Sequence, residues 1–285
     1  MDLKLRPGTP EDAETCGRIC YGAFSTIASE HNFPSDFPDP QVATGLLSML
    51  LGHPGFYSVV AEVDGNVVGS NFLDERSTIP GVGPVTVDPA AQNHGVGRVL
   101  MQDVMRHAAD RGAPGIRLLQ AGYHTRSLSL YAKLGFQVSD LLACMQGTPP
   151  KGEISGYRVR RASTADIEAC TAVCRGVHGH DRAGELRDAL EQGTALVVEH
   201  DGRISGYATD LAFFAHAVGE SNEDLKALIL AADAFGGSGI LVPTTNSALF
   251  RWCLERGLRV VQPMTLMTLG LHTPPRGAYL PSILY

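Results

Sequence analysis

The pattern of apolar and polar residues in the first half of the chain predicts short strands alternating with amphipathic helices. Residues 95–110 place Val96, Leu100 and Val104 on one helical face, with charged and polar residues opposite. Alternating or apolar runs bounded by Gly, Pro and Asp predict the strands. The predicted order is strand 3–7, helix 11–24, helix 40–51, hairpin 57–63 and 66–74, strand 83–88, helix 95–110, strand 115–121, helix 126–134 and strand 136–145.

The same pattern recurs in the second half of the chain. A shift of 154 positions superposes Arg6 on Arg160, Asp12 on Asp166, Glu14 on Glu168, Cys16 on Cys170, Cys20 on Cys174 and Gly22 on Gly176. The shift shrinks to 137 at the hairpin turn Asp64-Gly65, which matches Asp201-Gly202, and to 122 where Leu134-Gly135-Phe136 meets Arg256-Gly257-Leu258. A preserved order with a shrinking shift predicts a duplicated domain with deletions in the second copy. We expect domains at 1–147 and 153–285, joined by a Pro/Gly-rich linker.

Composition narrows the protein class. With 285 residues, 44% of them hydrophobic and 19% charged, the chain can bury two globular cores. The net charge of −7 argues against a nucleic-acid partner, and no apolar run is long enough to span a membrane. The first residues do not read as a signal peptide, and the six cysteines read as reduced thiols. We therefore expect a cytoplasmic protein without nucleic-acid or membrane partners, and a homodimer is left open.

The four repeated cysteines allow two interpretations. They could form a tetrahedral zinc site if the first helices of the two copies met. A cysteine pair four residues apart on a helix is more often small core packing, since free cysteine is among the most buried residue types. The second interpretation is favoured, and no metal is expected.

The segment from Val85 to Arg98 predicts a phosphate-binding site. A strand ends at Asp88-Pro89, and a helix opens after a turn that contains Gly95 and Gly97. The first amides of a helix lack intrahelical partners, and glycine lets a phosphate approach the backbone closely. A dinucleotide-binding turn is excluded because Leu100 stands where its third glycine belongs, and no Gly-Lys-Ser/Thr triplet follows for a P-loop.

Two motifs together resemble the GNAT superfamily of N-acetyltransferases. Gln92-x-x-Gly95-x-Gly97 resembles its acyl-CoA pyrophosphate loop, and residues 124–136 resemble its second motif, which contains Tyr131 and ends in Leu-Gly-Phe. His124 and Ser127 stand where that motif has Asn and Ala. The resemblance implies an α+β fold with a mixed, mostly antiparallel central sheet, a splayed parallel strand pair and helices on both faces. With the repeat, it implies two GNAT-like domains in tandem.

The resemblance also implies a function and a cofactor site. It implies an acyltransferase that uses acetyl-CoA as co-substrate and moves an acetyl group to a primary amine in a ternary complex. The backbone of Val85 and Val87 would pair with the pantetheine arm, and His124 and Ser127 would lie beside it. The residues implied around the pyrophosphate are Gln92, Asn93, His94, Gly95, Val96, Gly97 and Arg98.

The catalytic residues are predicted less completely. By the resemblance, Tyr131 would protonate the departing CoA thiolate. A base is also needed, because only a neutral amine attacks a thioester. Residues 82–87 lack the carboxylate that many family members carry, so Glu75 is our first candidate, although a solvated turn is an equal interpretation. The alternatives left open are Asp74, His31, Asp36, the Tyr285 carboxylate and water.

The acceptor side is predicted from the loop after the first helix. His31, Phe33, Asp36 and Phe37 combine aromatic faces with a carboxylate, which suits a small amine, and a peptide amine stays open. An acyl-CoA-binding sensor or scaffold is the alternative function, and a nicotinamide-dependent reductase is disfavoured by the missing glycine.

The second copy lacks both motifs, so we expect it to be degenerate and structural, or to shape the acceptor pocket. Glu220, Glu223 and Asp224 stand where pyrophosphate charge would lie, and Cys253 stands in place of Tyr131.

Overall fold

The computed structural model describes residues 2–285 and contains a nine-stranded and a five-stranded sheet. The first half comprises β1 (Leu3–Pro7), α1 (Ala13–Glu30), α2 (Pro40–Gly52), β2 (Phe56–Val63), β3 (Asn66–Asp74), β4 (Gly81–Val82), β5 (Thr86–Val87), α3 (Val96–Asp110), β6 (Gly115–Ala121), α4 (Thr125–Lys133) and β7 (Gln137–Gln146). The second half comprises β8 (Tyr157–Arg161), α5 (Ile167–His178), α6 (Ala183–Gln192), β9 (Leu196–His200), β10 (Arg203–Ala208), β11 (Ala217–Gly219), α7 (Asn222–Ala231), β12 (Ile240–Pro243), α8 (Ser247–Glu255), β13 (Arg259–Gly270) and β14 (Ala278–Leu280).

The predicted elements of the first half are present, with two differences. Helix α1 continues to Glu30, because Ala28 still packs into the core, where it is 2% exposed. The single strand predicted at 83–88 is instead two short strands, β4 and β5. Pro84 has no amide hydrogen for a sheet ladder and lies between them, so the strand is interrupted there.

The two halves repeat the same local geometry. Arg6 donates two 2.8 Å hydrogen bonds to Asp12, and Arg160 donates two of 2.8 Å to Asp166. The hairpin turns also match, since Asp64 and Asp201 both have a φ of 50°. Equal side-chain networks at equivalent positions agree with the predicted duplication.

Strands from both halves make up the nine-stranded sheet. Eight of them follow the order β1-β2-β3-β4-β6-β13-β7-β12, and the ninth, β5, pairs with β3 outside this order. Strand β13 of the second half lies between β6 and β7 of the first half, and β7 in turn pairs with β12. Residues 147–156 between the halves contain no helix or strand. The predicted linker at 148–152 thus lies in irregular chain, although the sheet runs through both halves.

The splayed strand pair lies near the middle of this sheet. Strand β4 pairs in parallel with β6 at a single position, Gly81 opposite Arg117, after which the chain turns away and β5 pairs back onto β3. A gap therefore opens between β5 and β6. The equivalent gap in the second half, beside β11, is filled because β14 pairs with β11 and contacts β12.

The repeated cysteines occupy two separate cores. Cys16 and Cys20 pack with Leu47 and Phe72, whereas Cys170 and Cys174 pack in a cluster around Leu186. Within residues 2–285, no cluster of three or more His, Cys, Asp or Glu side chains could hold a metal ion. Over the same residues, no helix combines the length and the apolar character needed to cross a membrane.

Candidate functional site

A cavity of about 670 Å³ occupies the gap between β5 and β6. It brings together most of the side chains and backbone groups that the sequence predicted for cofactor and acceptor. Those that line it are Asp36, Phe37, Val85, Val87, Gln92, Asn93, Gly95, Val96, Gly97, Arg98, His124, Ser127 and Tyr131. His31, Phe33, Glu75 and His94 are not among the lining residues.

Helix α3 presents an uncapped N-terminus to this cavity. Its N-cap residue, Gly95, has a φ of 84°, no side chain caps the first amides, and the first turn carries no acidic residue. The turn before it is held by Gln92, whose Nε2 donates to the Val87 carbonyl at 3.1 Å. Free amides at the positive end of a helix bind anions. Positive side chains add to this field, since Arg98, Arg126 and Lys133 also line the cavity.

Helix α4 and its N-cap also line the cavity. His124 is its N-cap and accepts a 3.3 Å hydrogen bond from the Ser127 amide through Nδ1. Burial, together with smaller contributions from Arg126 and His31, lowers the pKa of His124 to about 4. The imidazole is therefore neutral at pH 7 and serves as a cap. Asn246 caps α8 in the second half in the same way.

Tyr131 lies on α4 with its side chain against the cavity. It is 8% exposed and packs beside Phe136, with 6.2 Å between ring centroids. Burial raises the pKa of its hydroxyl to about 12. The phenol therefore keeps its proton near pH 7, as a proton donor requires.

Asp36 is the only carboxylate among the residues that line the cavity. Its Oδ1 accepts a 2.8 Å hydrogen bond from Nε2 of Gln262, which lies on β13 of the second half. Burial raises the pKa of Asp36, and this one hydrogen bond opposes the rise. Within residues 2–285 no Lys, Arg or His forms an ion pair with it, so a cationic ligand would complete its electrostatic environment.

The other candidate bases lie outside the cavity. Glu75 contacts α3 near its C-terminal end, where the Arg111 Nε is 2.8 Å and the His107 Nε2 is 3.2 Å from its Oε1. Asp74 is 3% exposed and accepts a 2.8 Å hydrogen bond from Arg76 Nε. Both carboxylates have cationic partners away from the cavity.

The two remaining aromatic candidates lie behind a lining residue. Phe33 stacks on Tyr123 with 4.2 Å between ring centroids, and the exposed His31 ring lies 5.4 Å from the same tyrosine. Tyr123 itself lines the cavity. His31 and Phe33 therefore support the wall and do not form it.

The second half contributes part of the cavity wall, although the sequence did not predict which of its residues would do so. The lining residues that it supplies are Phe213, Phe214, Met264, Ile283 and Leu284. The only sequence signal for these residues is the apolar run at 280–284.

One backbone contact joins two segments of this wall, and a second holds the wall against the first half. The Ile283 amide donates to the Phe213 carbonyl at 2.8 Å. The Leu284 carbonyl oxygen lies 1.8 Å from where a Cβ would stand on Gly81, so that position admits only glycine. Tyr285 does not line the cavity, and its ring lies between the guanidinium groups of Arg117 and Arg182, each 4.4 Å away.

The equivalent helix start in the second half is capped from within. Ser221 accepts a hydrogen bond from the Asp224 amide, and the Asp224 carboxylate accepts from the Ser221 amide and hydroxyl at 2.8 Å each. Glu220 is paired with Arg203. The amides and charges that an anion would need are thus already satisfied. Cys253, at the place of Tyr131, is fully buried in the core of this half.

Comparison with known proteins agrees with this geometry. Residues 24–136 match the acetyltransferase (GNAT) family. A mycothiol acetyltransferase of Rhodococcus erythropolis is 44% identical over 134 residues, which cover 45% of this chain and 44% of that protein. The chain therefore matches less than half the length of the curated relatives found.

Solved structures share the complete fold. A Pyrococcus horikoshii protein described as an acetyltransferase superposes with a TM-score of 0.72 at 18% identity, covering 94% of this chain and 89% of that one. A tandem GNAT protein from the clavulanic acid biosynthesis pathway superposes with a TM-score of 0.56 at 16% identity, covering 94% and 98%. These similarities confirm the predicted fold, with two GNAT-like units in one chain.

Proposed function

We propose that this chain, whose residues 24–136 form a GNAT-family acetyltransferase domain, transfers an acetyl group from acetyl-CoA to a primary amine by direct attack in a ternary complex. One observation carries the proposal. A single cavity holds the free amide end of α3, the Tyr131 hydroxyl and the Asp36 carboxylate. In this proposal the amides bind the anionic cofactor, the hydroxyl donates a proton and the carboxylate accepts one, and amine acetylation requires all three.

The cofactor end of the cavity fits a phosphorylated thioester. The first amides of α3 would bind the diphosphate, and Arg98, Arg126 and Lys133 would add charge. The backbone of Val85 and Val87 would face the pantetheine arm, because β5 pairs on its other side with β3.

Asp36 is our choice of base in place of Glu75. An acceptor ammonium would be drawn to a carboxylate that has no cationic partner, and Asp36 would remove one of its protons. The amine nitrogen would then attack the thioester carbon. As the carbon–sulfur bond breaks, the Tyr131 hydroxyl would protonate the departing sulfur, and the second proton lost from the nitrogen would return to the Tyr131 phenolate. The proton taken by Asp36 would be released to water, so the products are the amide, the CoA thiol and one proton.

The name of the curated relatives supports acetyl transfer and leaves the acceptor of this chain as a separate question. The opposing function is a sensor that binds acyl-CoA without transferring the acyl group. The two differ in whether CoA is released when an amine is added.

The test is the rate of CoA release with acetyl-CoA and an amine panel, for the full chain and for Asp36→Asn. The substitution keeps the shape and removes the charge, so kcat/KM should fall by about 10²-fold or more while acetyl-CoA affinity is retained. Glu30→Gln, which removes an exposed carboxylate at the end of α1, is the matched control.

The pH dependence has a defined sign. A base must be deprotonated, and burial raises the pKa of Asp36, so the acid limb of kcat/KM should lie above the usual aspartate value of about 3.9. Equal rates for wild type and Asp36→Asn would remove Asp36 from this role. Tight acetyl-CoA binding without CoA release for any amine would favour the sensor.

A further inference from the structure

The acceptor half of the cavity is almost entirely apolar. From the first half of the chain, Phe24 and Phe37 meet edge to face with 5.6 Å between ring centroids. From the second half, Phe213 and Phe214 do the same at 5.5 Å, and Ile283 closes the wall between them and the first half. Asp36 is the one charged side chain on this side.

These side chains belong to packed cores, so the wall is rigid. Phe37 belongs to the core beneath α1 and α2, and Phe213 belongs to the core around Met264 and Leu266. Phe214 differs, because this residue is 40% exposed. An exposed aromatic ring at the cavity leaves apolar surface that a ligand could cover.

We propose that the acceptor is a primary amine carried on an apolar alkyl or aromatic body, with its ammonium at Asp36 and its body against Phe213, Phe214 and Ile283. This inference rests on the proposed function and adds the substrate class. A polar body would be disfavoured, because each hydroxyl or ether oxygen placed against these side chains would lose water without gaining a hydrogen-bond partner. The specificity is therefore built jointly by the two halves of the chain.

Two amines of equal length test the proposal. Hexylamine and 2-(2-aminoethoxy)ethanol present the same primary amine, and only the second carries oxygens along its body. For the full chain with acetyl-CoA, kcat/KM should be about 10- to 100-fold higher for hexylamine. An equal or reversed preference would overturn the apolar-acceptor proposal and leave the proposed acetyl transfer standing.

A substitution in the wall locates the effect. Phe214→Asn should reduce the preference for hexylamine by about tenfold, because the exposed ring is replaced by a polar amide. Leu254→Asn is the matched control, since Leu254 is 43% exposed but lies on α8 and does not line the cavity. If the preference of Phe214→Asn equals that of wild type and of the control, the wall does not select the acceptor.

A binding measurement separates this proposal from the proposed function. With CoA present, hexylamine should raise the melting temperature and 2-(2-aminoethoxy)ethanol should not. If hexylamine stabilises the protein but is not acetylated, acetyl transfer fails while the apolar amine site stands. If neither amine stabilises the protein or is acetylated, the apolar amine site is overturned.

Discussion

The starts of α3 and α7 occupy equivalent places in the two halves and have opposite properties. At α3 the N-cap is a glycine with a φ of 84°, no side chain caps the amides, and the cavity lies in front of them. At α7, Ser221 and Asp224 form a complete capping box, and β14 fills the adjoining gap. A helix end that lacks an internal cap retains the capacity to bind an external anion, whereas a capped end gains stability and loses that capacity.

Removing the hydroxyl of Tyr131, the proposed proton donor, should give the largest difference between the two halves. Tyr131→Phe should lower kcat by about 10²-fold with little change in acetyl-CoA affinity, because only the hydroxyl is lost. Cys253→Ala, at the equivalent place in the second half, should leave kcat unchanged. Steady-state CoA release measures both, and an unaltered kcat in Tyr131→Phe would exclude it as the donor.

Blocking the turn before α3 should have the next largest effect. A β-branched side chain is strained at the positive φ of Gly95, so Gly95→Val should raise the Kd for acetyl-CoA roughly 10- to 100-fold. Gly193→Val introduces similar strain at a φ of 70°, at the end of α6 and away from the cavity. Calorimetric titration should show one acetyl-CoA per chain for wild type and for Gly193→Val. Two equal sites would contradict the contrast between α3 and α7.

Removing the internal cap of α7 should affect stability alone. Ser221→Ala should lower the free energy of unfolding by about 1 kcal/mol, the usual value of an N-cap hydroxyl. Denaturant unfolding measures this loss, while acetyl-CoA affinity should stay at the wild-type value. A weaker acetyl-CoA affinity in Ser221→Ala would show that the start of α7 contributes to cofactor binding.

The smallest effect is expected for the arginine–aspartate pair that both halves contain. Arg6→Ala and Arg160→Ala should each cost up to about 1 kcal/mol of unfolding free energy and differ little from each other, because both arginines are partly exposed and make the same paired contacts. The arginines hold the pKa of Asp12 and Asp166 below the usual range. This stabilisation is present above the unfolded-state pKa of about 3.9 and is lost as the pH falls through the lowered pKa values of the two aspartates. The loss of unfolding free energy caused by each arginine substitution should therefore become smaller in acid. Unequal losses would indicate that the halves differ in stability at their first turns.

The amino-acid sequence determined the local parts of the site. The helix start at Gly95, the turn before it and the position of Tyr131 on α4 depend on contacts between residues close in the chain, so periodicity and short motifs predicted this local geometry. The duplication was visible for the same reason, because equal local networks require equal residues at equal spacing.

Tertiary structure decided which carboxylate lines the cavity and which residues of the second half form its wall. Glu75 was the first candidate base, but ion pairing with Arg111 places it outside the cavity, whereas Asp36 faces the cavity and is held by Gln262, 226 positions away in the chain. No pattern in the sequence predicts that β13 crosses into the first sheet or that Ile283 packs against the core that contains Phe37. Such contacts join residues far apart in sequence. They depend on how the two halves pack, with β13 of the second half inserted between strands of the first half.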